Sequence, residues 1–324
     1  TPGSSLKPLG SRHLYYRTNN KNIFKPPLVL LKRGSQDRDL CFSYCDYECV
    51  YPDRIYGLSL RNKGTDYHKA LVACLNSSIA HYFLFIISSV WAIEKTSDLL
   101  HDEIISFPAL PSVMSEATVK TLARKVDEMI ELKLADKLVL DSDHEIIRIQ
   151  KKIDEIIFKE LDLSQNDQML INGVLNFSIG LKKKYDESNA EGVAELDEYA
   201  DVLVKTLNQT IGFSNKTAHV EIISGRKTEF RILIVRFEAS PSKIIKNQFD
   251  PKKINALLSD VNDYVYSQYS QTIFFRKVYI YYNLINNSIY LIKPNQKKFW
   301  IPSQALYDAD AMLAEMINYN EHSF

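Results

Sequence analysis

The sequence predicts an α+β protein with a small β-rich lobe and its helices, a helical middle segment, and a C-terminal antiparallel sheet with packed helices. Three observations lead there. Short apolar or alternating runs bounded by Pro and Gly fill residues 24–62. Apolar residues then recur at spacings of three and four from Val119 to Ile157. After the charged, low-complexity stretch KKKYDESNAEGVAE (182–195), strand and helix patterns alternate to the end. The expected organisation is residues 1–112 for the lobe with a long core helix, 113–182 for the helical segment, 183–194 for a linker and 195–324 for the last domain.

The elements follow in order. "IFKPPLVLLKRG" (23–34) holds an apolar run between Pro and Gly, "LCFSYCDYECVY" (40–51) alternates and is rich in aromatics, and "RIYGLSLR" (54–61) is a third strand pattern. Thr65 or Asp66 can cap a helix that runs through "ALVACLNSSIAHYFLFIISSVWAI" (70–93), a stretch with no Lys, Arg, Asp or Glu. Its length suits a bilayer. Asn76, Ser77, Ser78, His81, Ser88 and Ser89 interrupt it, however, and no basic cluster marks a cytoplasmic end. A core helix is therefore expected, with no membrane partner. A short helix at Asp98–Ile105 closes before Pro108. Two antiparallel helices follow, with a turn near Val139–Ser142, and Ser164 caps the next one. The last domain reads helix (Glu195–Asn208), strands His219–Ser224 and Glu229–Glu238, helix Pro251–Ser267, strands Thr272–Tyr282 and Ile289–Lys293, and helix Ser303–Asn318. Gly225-Arg226 and Asn286-Asn287 are the hairpin-like turns.

The formal net charge is zero over 324 residues, yet the charge is segregated. Residues 1–69 hold 12 Lys/Arg against 6 Asp/Glu, residues 94–167 hold 10 against 17, and residues 216–300 hold 14 against 6. Local field, not the total, attracts a polyanion. Cys41, Cys45 and Cys49 share a four-residue spacing but lack the distant second pair of a zinc site. They read as small buried hydrophobes in a reducing compartment, and no metal is expected. The start, TPGSSLKPLGS, has no apolar h-region and no initiating Met, so a segment upstream of Thr1 is expected.

Catalytic motifs are absent. None of the 10 glycines forms G-x-G-x-x-G or G-x-x-x-x-G-K-[ST], and there is no G-x-S-x-G or H-E-x-x-H. No catalytic residue and no cofactor is assigned to this chain. Lys25-Pro26-Pro27-Leu28 lacks the amide and the aromatic ring of a base-gripping Asn-Pro-Pro-aromatic motif. Glu221 and Glu229 lie near a hairpin without the further carboxylates a metal-dependent nuclease needs. Asp308 and Asp310 are read as carboxylates favoured near the start of the last helix.

One ordered set of parts is recognisable. "LVACLNSSIAHYFLFIISSVWAIEKTSDLLHDEIISFPALP" (71–111) runs Leu75-Asn76-Ser77, an aromatic helix with Tyr82 and Phe83, Ser88-Ser89, Trp91, and a short helix closing at Phe107-Pro108. With the strands before it and "IDEIIFKELDLSQND" (153–167) after it, this resembles the target-recognition region that follows the catalytic domain in adenine-N6 DNA methyltransferases of bacterial restriction–modification and phage-defence systems. The resemblance covers about residues 23–170.

The resemblance implies a non-catalytic, sequence-specific reader of double-stranded DNA in the cytoplasm. It implies a catalytic methyltransferase domain in cis, and S-adenosylmethionine bound by the full-length parent. The other reading is a stand-alone specificity or scaffold subunit that docks on a separate methyltransferase or nuclease, using the acidic helices. Lys32, Arg33, Arg38, Arg54, Arg61 and Lys63, at strand ends and turns, are the candidate DNA contacts; Arg suits guanine edges and Lys phosphate. "KPNQKKFW" (293–300) offers a second candidate nucleic-acid surface in Lys293, Asn295, Lys297 and Lys298. The bland alternative there is a turn anchored in the core by Phe299 and Trp300.

Overall fold

The computed structural model describes residues 21–32, 40–52, 54–60, 62–88, 99–135, 142–179, 196–211, 215–224, 230–248, 259, 279–283 and 287–321. The chain is α+β, in two compact units, Thr1–Leu175 and Asn176–Phe324.

The first unit is built on a three-stranded antiparallel sheet in the order β2-β1-β3, with β1 Leu28–Lys32, β2 Phe42–Cys45 and β3 Ile55–Leu58. The chain enters β1 through a cis Pro26–Pro27 bond. Leu28, Val29, Leu30 and Leu31 are all buried, as a central strand covered on both faces requires. Each contributes about 1.5–3 kcal/mol on burial. Leu28 and Leu30 pack with Cys45 and Cys49, and Tyr51 and Ile55 close over them. Tyr51 sets its ring edge-on to Phe24 at 5.2 Å and donates to the Ile23 carbonyl at 3.2 Å. Gly57 lies beneath it, and a Cβ at that position would overlap the Tyr51 ring. Gly57→Ala is therefore expected to displace Tyr51 and destabilise the lobe by about 1–3 kcal/mol, read as a lower midpoint in urea.

The long apolar stretch is not one helix. It forms α1 (Thr65–Leu75) and α2 (Ser78–Ile87), bent by 63° at Asn76-Ser77. Ser77 is the N-cap of α2, its hydroxyl accepting from Ala80 N–H at 3.4 Å. Among the described residues no single helix is long and apolar enough to cross a membrane; the α1–α2 pair has the length and composition only across that bend. Most of α1 from Ala70 to Leu75 is buried in the unit.

The helices after it pack back on the lobe within the same unit. They are α3 (His101–Ser106), α4 (Glu116–Ala135), α5 (Ser142–Glu160) and α6 (Gln165–Gly173), which continues into a π-helical turn to Ile179. Leu122, Ala123 and Val126 form the buried stripe of α4, which packs on α1. Ile149, Ile153 and Ile157 do the same for α5. Helix α5 ends at left-handed Asp162, where Leu163 N–H reaches the Phe158 carbonyl. The predicted cap at Ser164 is present, paired reciprocally with Asp167. The predicted turn at Val139–Ser142 falls mostly outside the described residues.

The second unit carries a five-stranded sheet in the order β6-β4-β5-β8-β7: β4 Thr217–Ser224, β5 Phe230–Glu238, β6 Ile244–Gln248, β7 Tyr279–Asn283 and β8 Ser288–Pro294. Four strands pair antiparallel, as the sequence predicts. The fifth, β6, is added in parallel beside β4, with Val220 opposite Ile244. Its residues, IIKNQ, hold only two apolar side chains followed by three polar ones, with no alternation to mark a strand. Helices α7 (Leu196–Ile211) and α8 (Pro302–Glu321) pack together, and one sheet face enters their shared core through Val220, Leu233, Val235, Ile289 and Leu291. The predicted helix Pro251–Ser267 falls, but for residue 259, outside the described residues, as do the start of the strand at Thr272 and the turn at Gly225-Arg226. At the Asn286-Asn287 turn, Asn287 is left-handed, a conformation Asn tolerates, and its side chain accepts from the Tyr282 hydroxyl at 2.7 Å.

Candidate nucleic-acid interface

The register of the first sheet decides where its cations lie. Lys32 ends β1 opposite Ile55, the first residue of β3, and Leu31 lies opposite Phe42, the first residue of β2. Arg54, one residue before β3, therefore shares a sheet end with Lys32, and both are exposed. Arg33 and Arg38 belong to the stretch 33–39 that joins β1 to β2 at this same end; they lie outside the described residues, as does Arg61. Lys63 belongs to the opposite end. The chain leaves β3 at Leu58 and turns at Leu60–Lys63 before entering α1, and the Lys63 ammonium sits 4.8 Å from the Tyr67 ring centre. Lys32 and Arg54 thus share one end of the sheet, and Lys63 lies at the other.

The structure buries two of the four residues of the second candidate surface. Lys293 is 1% exposed and Asn295 6%. Alternation along β8 explains it, because Lys293 shares the helix-facing side with Ile289 and Leu291. Its ammonium pairs with the Asp308 carboxylate of α8. The Tyr199 hydroxyl of α7 donates to the same carboxylate at 2.5 Å. The Lys293 ammonium also lies 4.8 Å from the Tyr199 ring and 4.7 Å from that of Trp300. Burial lowers the Lys293 pKa to about 8 against the opposing pull of Asp308, and pushes that of Tyr199 well above its usual value. Trp300 is a core anchor whose indole N–H donates to the Pro294 carbonyl at 2.8 Å. Asp308 is thus a buried counter-ion rather than a dipole-favoured residue of the first turn. Lys297 and Lys298 are half-buried, the latter 5.4 Å from the Phe299 ring.

The carboxylates that could suggest a nuclease are otherwise engaged or outside the described residues. Glu221 accepts from Arg236 at 2.7 Å across the β4–β5 ladder and from Asn247 at 2.6 Å, while Glu229 lies outside. Among the described residues no group of three or more His, Cys, Asp or Glu is placed to hold a metal. Cys45 and Cys49 lie with sulfurs 3.6 Å apart in the buried cluster. Burial pushes the Cys49 and Cys74 thiols up to about 12, so they are unreactive hydrophobes at neutral pH.

The residues that hold the first unit in shape were only partly legible in the sequence. Asn76 faces β2 edge-on: its Oδ1 accepts from Phe42 N–H at 2.9 Å and its Nδ2 donates to the Phe42 carbonyl at 2.7 Å. Asp154 of α5 caps α2, taking Ser78 N–H at 2.8 Å and the Ser78 hydroxyl at 2.6 Å, and Gln150 donates to the Asn76 carbonyl at 2.8 Å. Burial pushes the Asp154 carboxyl above its ordinary value, and the Ser78 hydrogen bonds oppose that shift. The Leu-Asn-Ser stretch is therefore the junction of lobe, core helix and helical segment. No protein-family model, no curated protein and no solved structure matches the chain.

Proposed function

We propose that this chain reads double-stranded DNA as the C-terminal, non-catalytic part of an S-adenosylmethionine-dependent adenine-N6 DNA methyltransferase of a restriction–modification or phage-defence system, acting in the bacterial cytoplasm. The observation that carries the reading is that Lys32 and Arg54 are both exposed at the same end of the sheet, the end at which the sequence runs on through Arg33 and Arg38. The likeness of residues 23–170 to the target-recognition region supports it. Lys32 and Arg54, exposed at one end of the sheet, suit the phosphates of a polyanion, and the arginines that the sequence places in the connection, Arg33 and Arg38, suit guanine edges in the major groove. An enzyme that extrudes its target base needs such an element to hold the flanking duplex. The chain has no glycine-rich loop for S-adenosylmethionine, so the methyl-transfer chemistry falls to a catalytic domain of the parent.

The test is fluorescence anisotropy of the chain on labelled duplex DNA across a salt series. Binding without cofactor is expected, weakening linearly in log salt. Alanine at both Lys32 and Arg54 lowers the slope by about 2, at roughly 0.9 per phosphate contact. No binding at low salt, or an unchanged slope in that variant, would sink the reading.

A further inference from the structure

Arg54 stands on a turn whose two flanks are fastened to one buried cluster. Ile55 N–H closes the turn on the Pro52 carbonyl at 3.0 Å, and Pro52 and Arg54 are exposed on it. On one flank Ile55 packs against the cluster of Leu28, Leu30, Cys45 and Cys49, and on the other Tyr51 does the same. Tyr51 is held from three directions. Its hydroxyl donates to the Ile23 carbonyl at 3.2 Å, its ring meets Phe24 edge-on at 5.2 Å, and the ring fills the space over Gly57. Burial pushes the Tyr51 phenol up, so the hydroxyl keeps the proton it donates at neutral pH. Residues 51 and 57 would stand roughly 20 Å apart in an extended chain, at about 3.3 Å per residue. Their contact means that the chain doubles back between them, with Arg54 at the bend.

We propose that Tyr51 is the positioning residue for Arg54 in the DNA contact, acting through the backbone of the turn without touching DNA itself. The inference rests on the DNA-reading function above and adds a dependence to it. An arginine on a loose segment gives up freedom when it binds, and that loss is subtracted from the affinity its charge supplies. The locked Tyr51 fixes the backbone beforehand and keeps Arg54 at the sheet end that holds Lys32. Lys32 needs no such support, because it is the last residue of β1 and pairs directly with Ile55. Gly57 gives a second handle on the same lock. A Cβ there would overlap the Tyr51 ring, so Gly57→Ala expels the ring while Tyr51 itself is kept.

The experiment is a set of double-mutant cycles on the whole chain. It is read by duplex anisotropy over a salt series, with amide hydrogen exchange at Ile55. Tyr51→Ala and Gly57→Ala are each expected to weaken binding about as much as Arg54→Ala does, and to lower the salt slope by up to about 0.9, the share of one phosphate contact. Neither loss adds to that of Arg54→Ala, and both persist in a Lys32→Ala background. The Ile55 amide exchanges faster in both variants. Tyr51→Phe, which gives up only the bond to the Ile23 carbonyl, shows a smaller loss that is again absent in the Arg54→Ala background. If Tyr51→Ala does not fold, Gly57→Ala and Tyr51→Phe decide by the same criterion. A mere loss of folding weakens binding in every background alike, so losses that add to Arg54→Ala overturn the positioning role. Unchanged binding in Gly57→Ala and Tyr51→Phe, with Arg54→Ala weakened, overturns it too and leaves the DNA reading standing. Absence of duplex binding by the unaltered chain overturns both.

Discussion

Asp308→Ala is expected to destabilise the C-terminal unit by about 3–5 kcal/mol, the usual consequence of stranding one charge of a buried pair. The stranded group would be the Lys293 ammonium, 1% exposed between Tyr199 and Trp300. Replacing both partners by apolar residues of similar volume, Lys293→Met with Asp308→Leu, should recover most of the loss, because the desolvation of two charges then disappears. Urea unfolding followed by tryptophan fluorescence in a Trp91→Phe background makes Trp300 the sole tryptophan reporter. A double variant as unstable as Asp308→Ala would contradict this account.

The same cluster fixes a pH signature. The Lys293 pKa is lowered to about 8 from an ordinary value of 10.5. Between those two values the unfolded chain binds more protons than the folded one, so this group makes stability rise with pH. Tyr199 holds its proton more tightly when folded, which reverses the sign above its ordinary value of 10.0. Relative to Lys293→Met, the unaltered protein should therefore gain stability from about pH 8 to about pH 10. The thiols of Cys49 and Cys74 titrate in both proteins and cancel in the difference.

Asn76→Ala is the second large effect, a loss of about 2–4 kcal/mol in the first unit. It leaves the Phe42 N–H and carbonyl without the side chain that satisfies both, at about 1–3 kcal/mol for each buried group left unpaired. Asn76→Asp should be no better, since it keeps the acceptor for Phe42 N–H but turns a second oxygen towards the Phe42 carbonyl. Hydrogen exchange at the Phe42 amide is the local measurement, and a denaturation curve the global one. Exchange at Phe42 unchanged in Asn76→Ala would refute the pairing.

The β-rich lobe was legible because its signals are local. Pro26-Pro27 and Gly34 bound β1, alternation marks β2, and Leu28–Leu31 form the continuous apolar run of a buried strand. The stripes of α4 and α5 follow helical spacing in the same way, and Ser164 marks the start of α6. What was not legible depends on partners far along the chain. The break after Leu75 is made by Phe42 and Asp154, 34 and 76 residues from the groups they bind. Asn-Ser-Ser hints at an interruption but not at what it meets. At 293–300 the lysines and amides fit a surface and Phe299 and Trp300 a turn anchored in the core; strand alternation, which turns Lys293 inward to Asp308, decides for that residue. His68 carried no signal beyond being a histidine on an apolar helix, because its ring bonds two backbone groups, Leu60 N–H and the Gly64 carbonyl, rather than belonging to a motif.

The carboxamide of Asn76 does one thing more for the lobe. Strand β2 is an outer strand of the order β2-β1-β3, so its outward amides and carbonyls are an invitation for another extended chain to add on. By occupying the N–H and the C=O of Phe42 together, a single side chain stands in for one residue of a neighbouring strand and blocks the start of that ladder. The junction that orients the core helix also guards the lobe against pairing with copies of itself.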